Sequence, residues 1–384
     1  MPFISGPDGD LKTAFVSDSW LLDQFVGNTL FTWGHNGYGA LGDNTATSKS
    51  NPVQTVAGGI NWKQVSGHFL KAAIKTDGTL WTWGKNSSGE LGDNTITHRS
   101  SPVQTVAGGT NWKQVSAGYW ASAAIKTDGT LWVWGVNIDG VLGDNTIVKK
   151  SSPVQTVAGG INWKQVVCGV RNTAAIKTDG TLWIWGSNPY GQSGDNTTIS
   201  RSSPVQTIAF GTNWKQVSCG IYHCAAIKTD GTLWNWGYNY FGQLGDNTIT
   251  NRSSPVQTIA YGTNWKNLAS GRMHTAATKT DGTLWAWGQN SYGSLGDNTT
   301  THRSSPVQTI AYGTNWKNFN CFYHTAAIKT DGTLWVWGRN NLGQLGDNTI
   351  ANKSSPIQTS AYGTNWKQVF AGYFHTAAVT NGDL

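Results

Sequence analysis

The chain has 384 residues, of which 38% are hydrophobic and 12% charged, and its formal net charge is +7. A chain of this length would ordinarily suggest two or three domains. No segment approaches the apolar length of a membrane helix, and the start Met-Pro-Phe-Ile-Ser-Gly-Pro-Asp lacks the basic residues and apolar run of a secretory signal. We therefore expect neither membrane insertion nor an ordinary signal peptide.

Residues 1–26 differ in character from the rest of the chain. They are too apolar for a permanently solvated linker. They are also acidic, with Asp8, Asp10, Asp18 and Asp23 against only Lys12, so DNA phosphates would repel them. The segment is expected either to cap the neighbouring domain or to anchor it to another protein. The candidate anchor residues are Phe3, Ile4, Leu11, Phe15, Trp20, Leu21, Leu22 and Phe25.

A repeated unit fills the remainder. The phrase Gly-Asp-Asn-Thr occurs seven times, at intervals of 50 or 51 residues, with its aspartates at Asp43, Asp93, Asp144, Asp195, Asp246, Asp297 and Asp347. A period of about 40 to 50 residues with strand-like segments is typical of a β-propeller. The repeat therefore indicates one closed domain over residues 27–384.

One copy shows the elements of the unit. From Pro102 it contains four short segments rich in Val, Ile, Thr and Trp, bounded by Gly, Asp and Asn, which we name strands a, b, c and d. Strand a is Pro-Val-Gln-Thr, b is Trp-Lys-Gln-Val, c is Ala-Ala-Ile-Lys, and d is Leu-Trp-Val-Trp-Gly. Asp128-Gly129 between c and d is a strong hairpin signal. Four antiparallel strands would form one blade.

The ends of the repeat predict how the ring closes. The first copy starts with strand d and the last stops after strand c. Strand 29–34 is expected to pair with strand 375–380, which would remove the open sheet edges. In this arrangement Thr29–Gly34 is the fourth strand of a blade built from residues 356–379.

The copies resemble repeats of the regulator of chromosome condensation family. The matching phrases are Trp-Gly-Arg-Asn-Asn-Leu-Gly-Gln-Leu-Gly at 337–346, Ala-Gly-Tyr-Phe-His-Thr at 371–376, Pro356-Ile and Asp331-Gly. The resemblance covers roughly residues 27 to 384 and implies an all-β fold, a seven-bladed β-propeller of four-stranded antiparallel blades.

Recurrence of the charged and aromatic residues weighs against specialised chemistry. Most lysines, arginines and aspartates repeat from copy to copy, so the positive excess is spread in rings and no nucleic-acid site is expected. Twenty of the 22 tryptophans recur in strands b and d, which indicates packing rather than ligand stacking.

No catalytic or metal constellation emerges, so we predict no enzymatic activity, cofactor or metal. The phrase Gly37-Tyr-Gly-Ala-Leu-Gly42 matches a dinucleotide fingerprint, but no helix pattern comes after it. The Gly-Asp-Asn aspartates favour Asx turns over calcium sites, and a single Glu, Glu90, argues against a paired-carboxylate glycosidase. Aligned histidines favour structural roles over metal ligation, and the four cysteines favour buried thiols over a disulfide or metal site. These residues are His223, His274, His324, His375, Cys168, Cys219, Cys224 and Cys321.

The copies differ mainly in the b–c and d–a loops, which antiparallel geometry places at the same end of every blade. One face would then be diverse and aromatic, and the other nearly uniform. A uniform scaffold with one diverse face suggests a binding module for a partner such as an anionic glycan or an acidic protein patch. Two alternatives remain: the loops have drifted without selection, or their aromatics pack on the axial channel. The candidate binding residues are Lys71, Lys85, Trp120, Arg171, Tyr190, Tyr238, Tyr240, Phe241, Arg272, Tyr292 and Arg339.

Two resemblances bear on function. The family includes guanine nucleotide exchange factors for a small nuclear GTPase, but no exchange residues carry over to this chain. Ile4-Ser-Gly-Pro-Asp-Gly-Asp10 and the stretch 18–27 resemble virion structural proteins of large marine bacteriophages that carry this repeat. That resemblance implies a virion component that contacts other virion proteins through residues 1–26 and a host surface glycan or protein through the diverse loops. The alternatives are a soluble, cytoplasmic interaction scaffold and an exchange factor.

Overall fold

The computed structural model describes residues 28–56, 60–157, 160–208, 211–259, 262–310, 313–361 and 363–381. In these ranges 28 strands form seven four-stranded antiparallel sheets, the blades of a propeller ring. A single 3-10 turn, Ile138–Gly140, is the one other regular element of the described residues. None of the described residues forms a helix long and apolar enough to span a bilayer. The predicted all-β, seven-bladed fold is confirmed.

Each blade runs outward from the axis in the order b, c, d, a. Blade 1 contains Trp62–Ser66, Leu70–Lys75, Leu80–Gly84 and Arg99–Gln104. Blade 2 contains Trp112–Ala117, Ala121–Lys126, Leu131–Gly135 and Lys150–Gln155; blade 3 contains Trp163–Cys168, Asn172–Lys177, Leu182–Gly186 and Arg201–Gln206. Blade 4 contains Trp214–Cys219, His223–Lys228, Leu233–Gly237 and Arg252–Gln257; blade 5 contains Trp265–Ser270, His274–Lys279, Leu284–Gly288 and Arg303–Gln308. Blade 6 contains Trp316–Cys321, His324–Lys329, Leu334–Gly338 and Lys353–Gln358; blade 7 contains Trp366–Ala371, His375–Thr380, Leu30–Gly34 and Lys49–Gln54.

Blade 7 closes the ring between the two chain ends. Leu30–Gly34 pairs antiparallel with His375–Thr380, with Leu30 opposite Val379 and Gly34 opposite His375. The predicted pairing of strand 29–34 with strand 375–380 is therefore confirmed. Lys49–Gln54 then pairs with Leu30–Gly34 and forms the outer edge. Two strands from each end of the chain thus complete the blade.

The predicted membership of strand a was wrong. Lys353–Gln358 pairs with Leu334–Gly338 in blade 6, so the strand that contains Pro356 does not enter the closing blade. Leu30–Gly34 is accordingly the third strand of blade 7, not the fourth. The physical reason is that the d–a loop turns back beside the strand it has just left, whereas the a–b connection crosses to the next blade.

Tryptophans fill the spaces between blades, as predicted. The first residue of strand b and the last Trp of strand d, such as Trp62 and Trp83, are fully buried. In all seven blades the indole of that last Trp donates to a backbone oxygen of the preceding d–a loop, as Trp83 Nε1 does to Ala40 O at 3.1 Å. Each indole therefore buries a large apolar surface and satisfies its one donor while joining two blades.

Buried histidines make a second connection between blades. His223 Nε2 lies 3.0 Å from Thr275 Oγ1, and His324 Nε2 lies 2.7 Å from Thr376 Oγ1. Each of these threonines in turn donates to a backbone oxygen, as Thr275 does to Gln243 O at 2.9 Å. Desolvation by burial lowers the pKa of His223 and His324 to about 3, so these rings are neutral near pH 7. The predicted structural role is therefore confirmed for His223 and His324.

Candidate functional site

The loops gather at two ends of the propeller. Where strand d ends, the next amide donates to a carbonyl of the b–c loop, as Lys85 N does to Phe69 O at 3.0 Å and Tyr238 N to Tyr222 O at 2.9 Å. The b–c and d–a loops therefore share one end, which we call the diverse face. At the other end, the uniform face, Trp112 N donates to Gly78 O at 3.1 Å, so the a–b and c–d turns meet.

A glycine after the last Trp of strand d makes this loop contact possible. Gly34 has φ 105°, in the left-handed region, and a Cβ there would collide with Phe374 O. Only glycine adopts this conformation without cost and lets the two backbones approach so closely. The Trp-Gly phrase thus fixes how each d–a loop lies against its b–c loop.

A buried asparagine holds every d–a loop in shape. In blade 4, Asn239 Nδ2 donates to Asp246 Oδ1 at 3.1 Å and Thr248 O at 3.1 Å, while its Oδ1 accepts from Leu244 N at 2.9 Å. Asp246 Oδ1 also accepts from the amide of Thr248, two residues on, at 3.1 Å. The Gly-Asp-Asn aspartate therefore forms an Asx turn, as predicted. The loops that vary at their tips consequently have rigid bases.

Part of the diverse face closes the axial channel. The ring centroids of Phe322 in blade 6 and His68 in blade 1 are 4.3 Å apart, and Val170 of blade 3 packs in the same cluster as Phe322. Below them lies a cavity of about 60 Å³ lined by strand b residues from all seven blades. The alternative that loop aromatics pack on the axis is therefore correct for these residues, which are not available to a partner.

A cation–aromatic cluster lies beside this plug. The guanidinium carbons of Arg272 and Arg339 are 4.9 and 4.7 Å from the ring centre of Tyr323, and that of Arg339 is 5.1 Å from Tyr292 and 4.9 Å from Phe374. Burial is the main cause that raises the pKa of Tyr323 to about 12. Both arginines and Tyr292 are half-buried. The structure thus brings three predicted residues together around Tyr323.

Lys85 and Trp120 form a smaller group on blades 1 and 2. Lys85 Nζ lies 4.2 Å from the ring centre of Trp120 and 3.8 Å from Glu90 Oε1. Trp120 also lines a shallow pocket together with Arg171, whose side chain is exposed. The ammonium is therefore held over the indole face, which leaves the group with an aromatic surface and little free charge.

A tyrosine patch occupies blades 3 and 4. Tyr190 contacts Tyr238 with ring centres 4.9 Å apart, Tyr238 stacks on Tyr240 at 6.3 Å, and Phe241 meets Tyr240 at 5.1 Å. The pKa of Tyr238 is raised, mainly by desolvation, so its hydroxyl stays protonated near pH 7. Tyr240 is 63% exposed and the other three are half-buried. The patch offers uncharged rings with polar edges to solvent.

Lys71 does not belong to this surface. Its side chain is 0% exposed, and Nζ donates to Gly67 O at 2.9 Å and His68 O at 3.0 Å. Burial lowers its pKa well below the ordinary value. The prediction that Lys71 contributes to a binding face was wrong, because position 71 is the inward-facing position that Thr376 occupies in blade 7.

The cysteines depart from the sequence prediction in one blade. Cys219 and Cys224 lie opposite each other on strands b and c of blade 4 and form a disulfide, where buried thiols were expected. Antiparallel neighbours can approach closely enough for such a bridge. Cys168 and Cys321 are free and buried, and burial raises the pKa of Cys168 to about 12. Among the described residues no group of three or more His, Cys, Asp or Glu is placed to hold a metal.

Sequence reasoning missed the pairing of cations with rings. On the uniform face, Lys75 Nζ lies 5.2 Å from the ring centre of Trp62 and 4.8 Å from that of Trp81, and the lysine at this position is sandwiched alike in blades 1 to 6. Strict recurrence of Lys with two Trp in these copies was the available signal. The candidate anchor residues Phe3, Ile4, Leu11, Phe15, Trp20, Leu21, Leu22 and Phe25 lie outside the described residues.

Comparison with known proteins agrees with this geometry. The profile of the RCC1-like domain matches residues 29–321, and that of the regulator of chromosome condensation (RCC1) repeat matches residues 331–379. The chain is 31% identical over 192 residues to the Arabidopsis thaliana ultraviolet-B receptor UVR8, which covers 48% of this chain and 43% of UVR8. It is 31% identical over 214 residues to the human probable E3 ubiquitin-protein ligase HERC4, which covers 53% of this chain and 19% of HERC4. The chain therefore spans less than half the length of these curated relatives.

Solved structures show the same fold. Human WBSCR16 superposes with a TM-score of 0.82 at 21% identity, covering 93% of this chain and 100% of the other. Saccharomyces cerevisiae Prp20p, studied for its binding properties to Gsp1p and histones, superposes with a TM-score of 0.82 at 18% identity, covering 97% and 96%. At these identities the likeness supports a common fold alone.

Proposed function

The chain belongs to the RCC1-like domain family, and on that premise we propose that it is a non-enzymatic binding propeller whose diverse face recognises a protein partner. One observation carries the proposal: a rigid scaffold with strictly repeated blades presents the tyrosine patch and the cation–aromatic cluster at one end only. Tyr, Trp and Arg dominate the energetics of protein interfaces. Half-buried tyrosines lose little conformational entropy on binding, which suits them to recognition.

The cations favour an acidic surface on that partner. Arg272 and Arg339 have no carboxylate partner among the described ion pairs, whereas the arginines at the bases of the d–a loops pair with the Gly-Asp-Asn aspartates, as Arg252 does with Asp246 at 3.1 Å. An acidic protein patch or an anionic glycan would supply the missing counter-charge.

A substitution set tests this proposal. Replacing Arg272, Arg339, Trp120 and Tyr240 with Ala is expected to abolish binding to a partner recovered with the native protein, without changing the melting temperature. The matched control replaces Lys126, Lys228 and Lys279 on the uniform face, which are sandwiched between tryptophans. Binding would be measured by interferometry with the purified partner. Loss of binding in the control set alone would mean that the opposite face is the interface.

The setting that we propose is a virion. The resemblance of residues 4–10 and 18–27 to phage structural proteins supports this. It would assign residues 1–26 to contacts with other virion proteins and the diverse face to a host surface glycan or protein. Mass spectrometry of purified particles tests the placement. A chain without residues 1–20 is expected to fold but to be missing from particles, and its full incorporation would refute the anchoring role.

Catalysis is not part of the proposal. The buried histidines are neutral, and the threonine hydroxyls that they contact are also buried and donate to backbone oxygens, so these groups have no access to a substrate. The alternative is an exchange factor for a small GTPase. An assay of nucleotide release tests it: acceleration that a point change on either face abolishes would replace the binding proposal.

A further inference from the structure

Seven lysines surround the axis at the uniform face. Each is the second residue of a strand b, the innermost strand of its blade, and each side chain is exposed. Consecutive b strands are joined around the axis by side chains such as Gln114, whose Nε2 donates to Val166 O at 3.0 Å. These lysines therefore form a closed ring, which we call the lysine ring. Its members are Lys63, Lys113, Lys164, Lys215, Lys266, Lys317 and Lys367.

The lysine ring has no counter-charge of its own. None of its members forms an ion pair among the described residues. The a–b turns beside it contain no Asp or Glu, and the c–d turns contribute one aspartate in each of blades 1 to 6. Those aspartates already accept from a Thr amide and hydroxyl, as Asp77 does from Thr79 at 2.9 and 2.7 Å, and each adjoins the sandwiched lysine of its own strand c. The face as a whole is therefore strongly cationic.

The chain enters the propeller next to this ring. Trp62 N donates to Asn28 O at 2.9 Å, so the described part of the chain begins against the residue that precedes Lys63. The 27 residues before Asn28 contain Asp8, Asp10, Asp18 and Asp23 and a single basic side chain, Lys12. An extended chain covers about 3.3 to 3.6 Å per residue, so Asp23 can reach roughly 17 Å from Asn28 and the earlier aspartates much farther.

We propose that residues 1–27 dock on the lysine ring of their own uniform face. The tether keeps the segment at an effective concentration of about millimolar order, which makes several weak ion pairs sufficient. Docking on the ring does not depend on recognition by the diverse face. It adds a condition to the virion proposal, because a neighbouring protein that takes up the segment must displace it from the ring.

Trypsin provides a direct test, because Lys12 is the one basic residue of the segment. Cleavage after Lys12 reports the undocked population. In the full chain we expect cleavage about tenfold slower than in K63Q/K113Q/K367Q, and protection that is lost at about 0.5 M NaCl, where the Debye length is a few ångströms. K49Q/K149Q, on the diverse face, is the matched control and is expected to cleave like the parent. A free peptide of residues 1–27 gives the unprotected rate at each salt concentration.

Carbodiimide cross-linking identifies the occupant. Mixed isotope-labelled and unlabelled chains are expected to give links from the segment aspartates to ring lysines within one chain. Links between labelled and unlabelled chains would assign the ring to a second copy and overturn docking within the chain. Equal cleavage of the parent, the ring variant and the peptide would also overturn it. Protection that survives both salt and K63Q/K113Q/K367Q would mean that apolar contacts hold the segment, which likewise refutes the charge-based site.

Discussion

Asn239→Ala is expected to destabilise the protein by about 3 kcal/mol. The side chain is fully buried and makes four contacts: Nδ2 to Asp246 Oδ1, Thr248 O and Thr248 Oγ1, and Oδ1 from Leu244 N. An orphaned buried amide such as that of Leu244 costs about 1–3 kcal/mol. The two N–H groups of Nδ2, which share three acceptors, contribute about 0.5 kcal/mol each. Asp246 keeps Thr248 and Arg252 as partners, so losing its bond to Asn239 contributes least to this change.

Urea unfolding followed by tryptophan fluorescence measures this change. Thr250→Ala is the matched control, because its side chain is exposed at the end of the same loop and a change within about 0.5 kcal/mol is expected. Since Asn239 holds the base of the loop that carries Tyr240 and Phe241, binding by the diverse face should weaken as well. A loss of stability no larger than that of the control would refute the view that the asparagine fixes the loop.

Three further outcomes are expected. Deleting residues 375–384 removes the strand that pairs with Leu30–Gly34, so the melting temperature should fall sharply, and an unchanged value would contradict the closure. The pKa of His223 falls from 6.5 to about 3 on folding, so the unfolded chain takes up a proton that the folded chain does not, and stability drops as pH falls from 6.5 towards 3. His223→Asn, the residue found at this position in blade 3, should reduce the loss of unfolding free energy between pH 7.5 and 5 by about 2 kcal/mol, and an identical loss in both proteins would show that the ring titrates normally. The Thr hydroxyl of Cys224→Thr should donate to Gln192 O as Thr275 does to Gln243 O. In urea unfolding with reductant present, this variant should therefore be more stable than the parent by about 1 kcal/mol. A lower stability would show that the bond does not form.

The repeat made the architecture and the two faces predictable from sequence. Strand periodicity, the Asp-Gly hairpin and the unequal chain ends led to the pairing of 29–34 with 375–380. The blade to which strand a belongs could not be deduced, because antiparallel pairing allows it to join the strand before it or the strand after it. The position of Lys71 was predicted wrongly for a related reason. Side chains in strand c alternate between the two faces of the sheet, so without the register a lysine near the start of the strand could not be assigned to the buried face.

The candidate binding residues were chosen by comparing copies, but their contacts with one another were not predicted. Arg272 and Arg339 come from different loops of neighbouring blades, and only the curvature of the ring brings both over Tyr323. The disulfide between Cys219 and Cys224 was missed because the spacing of the two cysteines matches a tight strand connection only when the b–c loop is known to be short.

Each copy places three strands in one blade and its strand a on the edge of the preceding blade. A cut between d and a would therefore leave three strands of one sheet in one fragment and the edge strand of that sheet in the other. The open sheet edges of the two fragments present unpaired backbone groups that can pair with each other. The propeller is therefore suited to split-protein complementation, in which two separately expressed halves regain a common fold only on meeting. One place for such a division is the exposed loop between Asp144 and Lys150. A cut there interrupts no strand and no part of the tryptophan core.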